Sequence, residues 1–304
     1  MVVNADLSHI HPAYQQYALL DDEDRVEWIR SDRYLAYRRA DATLKRLEDL
    51  LHYPTRDRMP CMLLYGPPGM GKTKILRKFI RNHPPVHVEG SGTTIMPVVV
   101  FQMPSQPDDR DFYIELLIAL GGAYNSGAAV VSLRNVARRL MRDMRTRMLM
   151  IDEVHAMLAG TARQQRAFLN TIRFLTNDLR IPIVCAGTDE ARAALITDQQ
   201  LADRFEALEL RRWKNDEEFR QLLGGFSAIL PLRLRSALDT VAVRRRVLDM
   251  TDGVTVRIFR LIETVATEAI RDGREMLDES SFADEELVLP LVSMTLAPNR
   301  RMAR

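Results

Sequence analysis

The stretch Leu63-Leu64-Tyr65-Gly66-Pro67-Pro68-Gly69-Met70-Gly71-Lys72-Thr73 carries the most specific signal in this chain. From Gly66 to Thr73 it satisfies G-x-x-x-x-G-K-[ST] at every defined position. The apolar run Cys61–Tyr65 before it reads as a strand, and Thr73 to about Arg81 after it reads as a helix. That context is what the chemistry requires. The glycines let the backbone turn tightly and aim its N–H groups at phosphates, and the helix that follows adds its positive N-terminal end. Gly66, Pro67, Pro68, Gly69, Met70 and Gly71 therefore predict a phosphate loop for ATP. Lys72 reaches for the β- and γ-phosphates, and Thr73 offers its hydroxyl to Mg²⁺. A chance glycine-rich turn would match the letters without the flanking strand and helix.

Further along, Met148–Ile151 is an apolar strand that ends in Asp152 and Glu153. A buried strand in an open α/β sheet delivers its C-terminal residues to the edge where ligands bind. Asp152 is expected to hold Mg²⁺. Glu153 is expected to polarise the water that attacks the γ-phosphorus. Val98–Phe101, Ile183–Ala186 and a candidate at Ala207–Leu210 complete a set of apolar strands separated by helical stretches. Near-continuous apolar strands alternating with helices predict a parallel five-stranded sheet covered on both faces.

Outside that region the chain reads as helices. Apolar residues recur at helical spacing between residues 21 and 51, behind the acidic cluster Asp21-Asp22-Glu23-Asp24. After Trp213 come a helix with Asn215 as N-cap, stopped by Pro231, and two more at about 235–250 and 255–272. The expected division is an N-terminal helical extension (1–55), an α/β nucleotide-binding core (56–212), a small C-terminal helical lid (213–290) and a basic tail (291–304).

Composition excludes several classes. The formal charge of +2 shows no global field for a polyanion, so any nucleic-acid contact has to come from local clusters of arginine. Two cysteines inside apolar strands read as buried hydrophobes of a reducing compartment, and the six histidines show no metal-ligand spacing. No apolar run is long enough to span a bilayer, and residues 1–11 do not resemble a secretory signal, so a cytoplasmic location with no membrane partner is expected. His155 is expected to pack at the end of its strand. An amphipathic stretch from Val130 to about Arg145 places Arg134, Arg138, Arg142 and Arg145 along one flank. That flank suits either a DNA backbone or a solvated helix face.

The order of these motifs resembles the AAA+ superfamily of ATPases. Within it, residues from about Asp24 to Glu263 resemble the TniB family of transposition ATPases, similar to TnsC and the phage Mu B protein. The segments carrying this are Glu23-Asp24-Arg25 with Trp28-Ile29, the phosphate loop, Ile151-Asp152-Glu153-Val154-His155, Ala186-Gly187-Thr188 and Leu201-Ala202-Asp203-Arg204-Phe205. The resemblance implies that Thr188 senses the γ-phosphate. It implies that Arg204 is an arginine finger reaching a neighbouring subunit's ATP, where a planar permanent cation suits charge spread over phosphate oxygens. A surface arginine paired with Asp203 or Glu206 is the other reading of Arg204. Arg257 matches the lid arginine of the superfamily, with Arg260 one turn away. The implied function is ATP-dependent regulation of DNA transposition. Its partners are double-stranded DNA, a transposase and other transposition proteins, and further copies of the chain in a ring or helical filament. Loops at 121–127 and 102–110 are the implied DNA contacts. A helicase loader or replication initiator shares the nucleotide motifs, and a STAND-like signalling switch shares the loop. Glu153 speaks against a switch that hydrolyses little.

Overall fold

The computed structural model describes residues 6–90, 92–105, 108–125 and 127–283. Helices α1 (Gln15–Ala18), α2 (Asp22–Arg30) and α3 (Arg38–Leu51) precede strand β1 (Cys61–Tyr65). Then follow α4 (Lys72–Asn82), β2 (Val86–Val88), β3 (Thr93–Ile95), β4 (Val98–Gln102) and α5 (Asp109–Ala119). Next come α6 (Val130–Asp143), β5 (Met148–Asp152), α7 (Ala162–Leu179) and β6 (Ile183–Gly187). Helices α8 (Asp189–Ile196) and α9 (Gln199–Ala202) lead to β7 (Phe205–Glu209). Helices α10 (Glu217–Ile229), α11 (Val241–Thr251) and α12 (Thr255–Arg271) follow.

Strands β4-β5-β6-β1-β7 form the expected parallel five-stranded sheet. Side chains alternate across a strand, so its two faces bury different residues. Leu63, Val99, Leu149, Ile151 and Cys185 share a core with Phe112, Leu116, Leu133, Ala137, Phe168 and Leu175 of α5, α6 and α7. Met62, Leu64, Met150 and Val184 are the buried alternates, and α4 packs against β4 and β6. Burial pushes the Cys61 thiol up to about 11 and the Cys185 thiol higher still, so both stay protonated and act as small hydrophobes. Because the strands are parallel, Tyr65, Asp152 and Gly187 all end at one edge of the sheet.

Several boundaries differ from the expectations. β7 begins at Phe205, not Ala207; it is an edge strand, and its exposed Glu206 and Ala207 hide its start from a search for apolar runs. The hairpin β2–β3 lies outside the main sheet and has no counterpart in the strand reading. Its signal was present as Val86-His87-Val88 and Thr93-Thr94-Ile95 about a glycine-containing turn. Asp216, not Asn215, caps α10 by accepting from the Phe219 amide. Thr240 does the same for Val243, so α11 begins at Val241 and residues 235–240 are not helical. The basic tail 291–304 and the end of the lid lie outside the described residues.

The chain divides into two compact units: Arg39–Arg211, which holds the sheet, and the described parts of 1–38 and 212–304. In the second unit α2 packs on α12. Arg25 is fully buried there, donating to both oxygens of Glu275 at 2.7 Å, to Asp22 at 2.7 Å and to the Pro231 carbonyl at 3.0 Å. Burial opposes its charge, but its hydrogen bonds to Glu275 and Asp22 hold its pKa above the ordinary arginine value. Two of the resemblance segments thus have structural work: Arg25 clamps the N-terminal helix, and Trp28 stacks under the Arg33 guanidinium 3.0 Å from its centroid. Breaking one partner of a buried pair strands the other charge. Arg25→Ala is expected to destabilise this unit by about 3 kcal/mol, checked by urea unfolding, while nucleotide binding to the folded protein persists.

Candidate nucleotide site

The phosphate loop spans the C-terminal end of β1 and the start of α4. Gly66 has φ 145°, and a Cβ there would lie 2.3 Å from the Leu210 carbonyl oxygen, so only glycine fits. Gly71, at φ 94°, starts α4 with its backbone amides free of any side-chain cap. An uncapped helix start is an anion site by construction. Lys72 is 7% exposed and its ammonium is folded back, donating to Gly66 O at 2.7 Å and Pro67 O at 2.9 Å. Burial lowers its pKa, offset in part by Glu153, Asp152 and Asp189.

Across the edge, the Thr73 hydroxyl donates to Asp152 Oδ2 at 2.6 Å. β6 lies between β1 and β5, so this contact joins the helix that follows β1 to the end of a strand that is not β1's neighbour. Two hard oxygens side by side at the loop suit Mg²⁺, which takes few protein ligands and fills its shell with phosphate and water. Glu153 follows in the left-handed region at φ 55°, a conformation that costs a non-glycine residue about 1 kcal/mol or more. Its amide donates to Asp152 Oδ1 at 2.9 Å, which holds the turn. Strain of that kind gathers where a side chain must be aimed.

His155 stands beside Glu153. Its Nδ1 lies 3.0 Å from Glu153 Oε2, close but out of line for a hydrogen bond. Thr188, at the start of α8, hydrogen-bonds Glu190, and this bond, with His155 nearby, holds the Glu190 carboxyl below its usual range. Glu153 and Thr188 thus have His155 and Glu190 beside them, each two residues further along the chain.

Arg204 stands elsewhere. Its carbonyl accepts from Cys61 N at 2.8 Å, which places it at the N-terminal edge of β1 and β7. A five-residue strand spans about 15 Å, so Arg204 is remote from the loop of its own chain. Its guanidinium binds neither Asp203 nor Glu206. It donates to Asn177 Oδ1 at 2.8 Å and Thr176 Oγ1 at 3.1 Å, both neutral, while Glu206 is taken by Arg46. In the second unit, Arg257 sits in the first turn of α12, and its Nη1 is shielded from solvent with no hydrogen-bond partner among the described residues. Arg260, its alternative, is exposed. Three arginines of the α6 flank meet α7: Arg138 and Arg142 share Asp178, and Arg134 lies over Phe174. That flank is helix packing first.

The family model described as "Bacterial TniB protein" matches residues 25–215. The chain belongs to the TniB family. No curated protein matches it. Among solved structures it is similar to Cdc6p from Pyrobaculum aerophilum, at 17% identity and a TM-score of 0.58, covering 84% of this chain and 68% of that one. The ORC2 protein of Aeropyrum pernix is similar at 17% identity and a TM-score of 0.56, covering 85% and 70%. The ORC1 protein of Aeropyrum pernix, solved in complex with DNA, has 15% identity and a TM-score of 0.51, covering 84% and 67%. At such identity the likeness speaks for the AAA+ fold. This TniB chain is an AAA+ ATPase, with its phosphate loop, Asp152 and Glu153 on one sheet edge. No helix among the described residues is long and apolar enough to cross a membrane.

Proposed function

We propose that this chain is an ATP-dependent regulator of DNA transposition that assembles on target duplex DNA, recruits or activates a transposase, and leaves when ATP is hydrolysed. The observation that carries the reading is the separation of Arg204 from the loop of its own chain, in a member of the TniB family. A catalytic cation that its own site cannot use belongs to a neighbour's site, so ATP lies between copies and couples assembly to hydrolysis. The core of 56–212 supplies the loop, and the resemblance makes 213–290 the lid, with Arg257 as its nucleotide contact.

The residues have distinct tasks. The loop amides from Gly66 to Gly71 bind the phosphates, and Lys72 leaves the Gly66 and Pro67 carbonyls to meet the β- and γ-oxygens. Thr73 and Asp152 hold Mg²⁺, which neutralises charge on the phosphates when bound. Glu153 orients the attacking water and accepts its proton, and Thr188 contacts the γ-phosphate. DNA contact is supported by the fold shared with an ORC1 protein solved on DNA. The same fold favours a second reading as a replication initiator or helicase loader. Electron microscopy with an ATP analogue and duplex DNA, followed by a strand-transfer assay with a transposase, separates the two. Ordered assemblies that stimulate strand transfer support transposition; assemblies that leave it unchanged overturn it.

Lys72→Ala removes the one ammonium at the loop while leaving the core intact. Nucleotide affinity is expected to fall about tenfold or more, the scale of a lost charge-assisted contact, and ATP-dependent assembly on DNA to disappear. Fluorescent-nucleotide titration and light scattering check this, and near-parental affinity rules out the assignment of Lys72.

A further inference from the structure

At the N-terminal edge of β1 and β7 lies an open cleft of about 860 Å³, lined among others by Arg56, Asp57, Arg58, Asp203, Arg204 and Glu206. Its arginines and acids balance in number, but not in effect. Asp57 faces Arg180 at 3.3 Å, and Glu206 is held by Arg46 at 2.8 Å; both cations come from outside the lining. That leaves Asp203 against Arg56, Arg58 and Arg204. The Arg56 side chain leans back to the Arg58 carbonyl at 2.8 Å and lies over Tyr53. The Arg58 guanidinium is exposed and has no partner among the described residues. A concave site of this size, lined by three guanidiniums with one carboxylate left to balance them, suits a compact polyanion.

The chain's own loop does not reach it, since all of β1 intervenes. A duplex is followed by cations spread along a surface, not gathered in one concavity. We propose that this cleft receives the nucleotide phosphates of a second copy of this chain, with Arg58 contacting them beside Arg204. The proposal rests on the reading above that Arg204 acts in trans, and adds a second cation to that interface. The contact is heterologous: the loop edge of one copy meets the opposite edge of the next, which generates rings or filaments and never a closed pair.

The test is Arg58→Glu in the full chain, with Arg58→Lys and Arg204→Ala alongside. Arg58 is exposed, so the fold is expected to survive. Binding of a fluorescent ATP analogue by dilute protein should stay within about twofold of parental. ATPase activity at fixed protein concentration should fall about tenfold or more, with Arg58→Lys in between. Mixing Arg58→Glu with Lys72→Ala subunits should restore part of the activity, because some interfaces then pair an intact loop with an intact cleft. Parental hydrolysis and assembly in Arg58→Glu, with Arg204→Ala inactive, overturns the cleft proposal and leaves the shared site standing. Parental hydrolysis in both variants overturns the shared site itself. Loss of duplex binding alone, with DNA-free assembly and hydrolysis unchanged, assigns the cleft to DNA and also overturns the proposal.

Discussion

Arg204→Ala is expected to lower ATP hydrolysis by about 10³-fold or more, the scale on which arginine fingers act in phosphoryl transfer. The monomer should still bind nucleotide, because Lys72, Thr73 and Asp152 stand at the other end of β1. Little stability should be lost. Arg204 donates to two neutral side chains, Thr176 and Asn177, so removing it strands no buried countercharge. A large kinetic effect with a small effect on unfolding is the signature of a group held ready for a partner. Mixing Arg204→Ala with Lys72→Ala subunits gives the decisive measurement. Each lacks a different half of the shared site, so partial recovery of ATPase activity supports completion in trans. No recovery, together with a specific activity in the parent that does not change with protein concentration, makes Arg204 a surface arginine.

Glu153→Gln should bind ATP and Mg²⁺ but hydrolyse about 10²-fold or more slowly, because an amide cannot accept the proton of the attacking water. The substitution keeps the shape of the side chain. It also keeps the amide bond to Asp152 Oδ1 that holds residue 153 at φ 55°, so the turn should survive. Complexes on DNA are expected to persist, since release follows hydrolysis. Single-turnover hydrolysis and dissociation from duplex DNA are the measurements. A parental rate in Glu153→Gln removes the catalytic role, and attention then passes to the carboxylate of Glu190 beside Thr188.

Local chemistry explains what was legible in the chain. A phosphate loop is written in consecutive residues, since Gly66, Gly71, Lys72 and Thr73 act through one turn and the helix it opens. β1, β4, β5 and β6 were readable because buried parallel strands are apolar on both faces. β7 was readable only in its second half, because an edge strand exposes part of its length. The cap of α10 lies one residue beyond the expected Asn215, since Asn215 and Asp216 offer equivalent chemistry and only the backbone's path chooses between them.

What sequence alone determined, then, is the loop, the strand that presents Asp152 and Glu153, the parallel sheet and the resemblance to TniB. Each depends on residues adjacent in the chain or repeated at the period of one element. Tertiary structure decided the rest: the Thr73–Asp152 contact across the sheet edge, and Arg25 buried against Glu275. It also settled that Arg204 pairs with Asn177 and Thr176 and not with its neighbours in sequence, and that Arg138 and Arg142 share Asp178. These are pairings between side chains distant in sequence. Propensity and periodicity act along one element at a time, so they carry no information about which distant partner the packed sheet and helices bring within a hydrogen bond's reach.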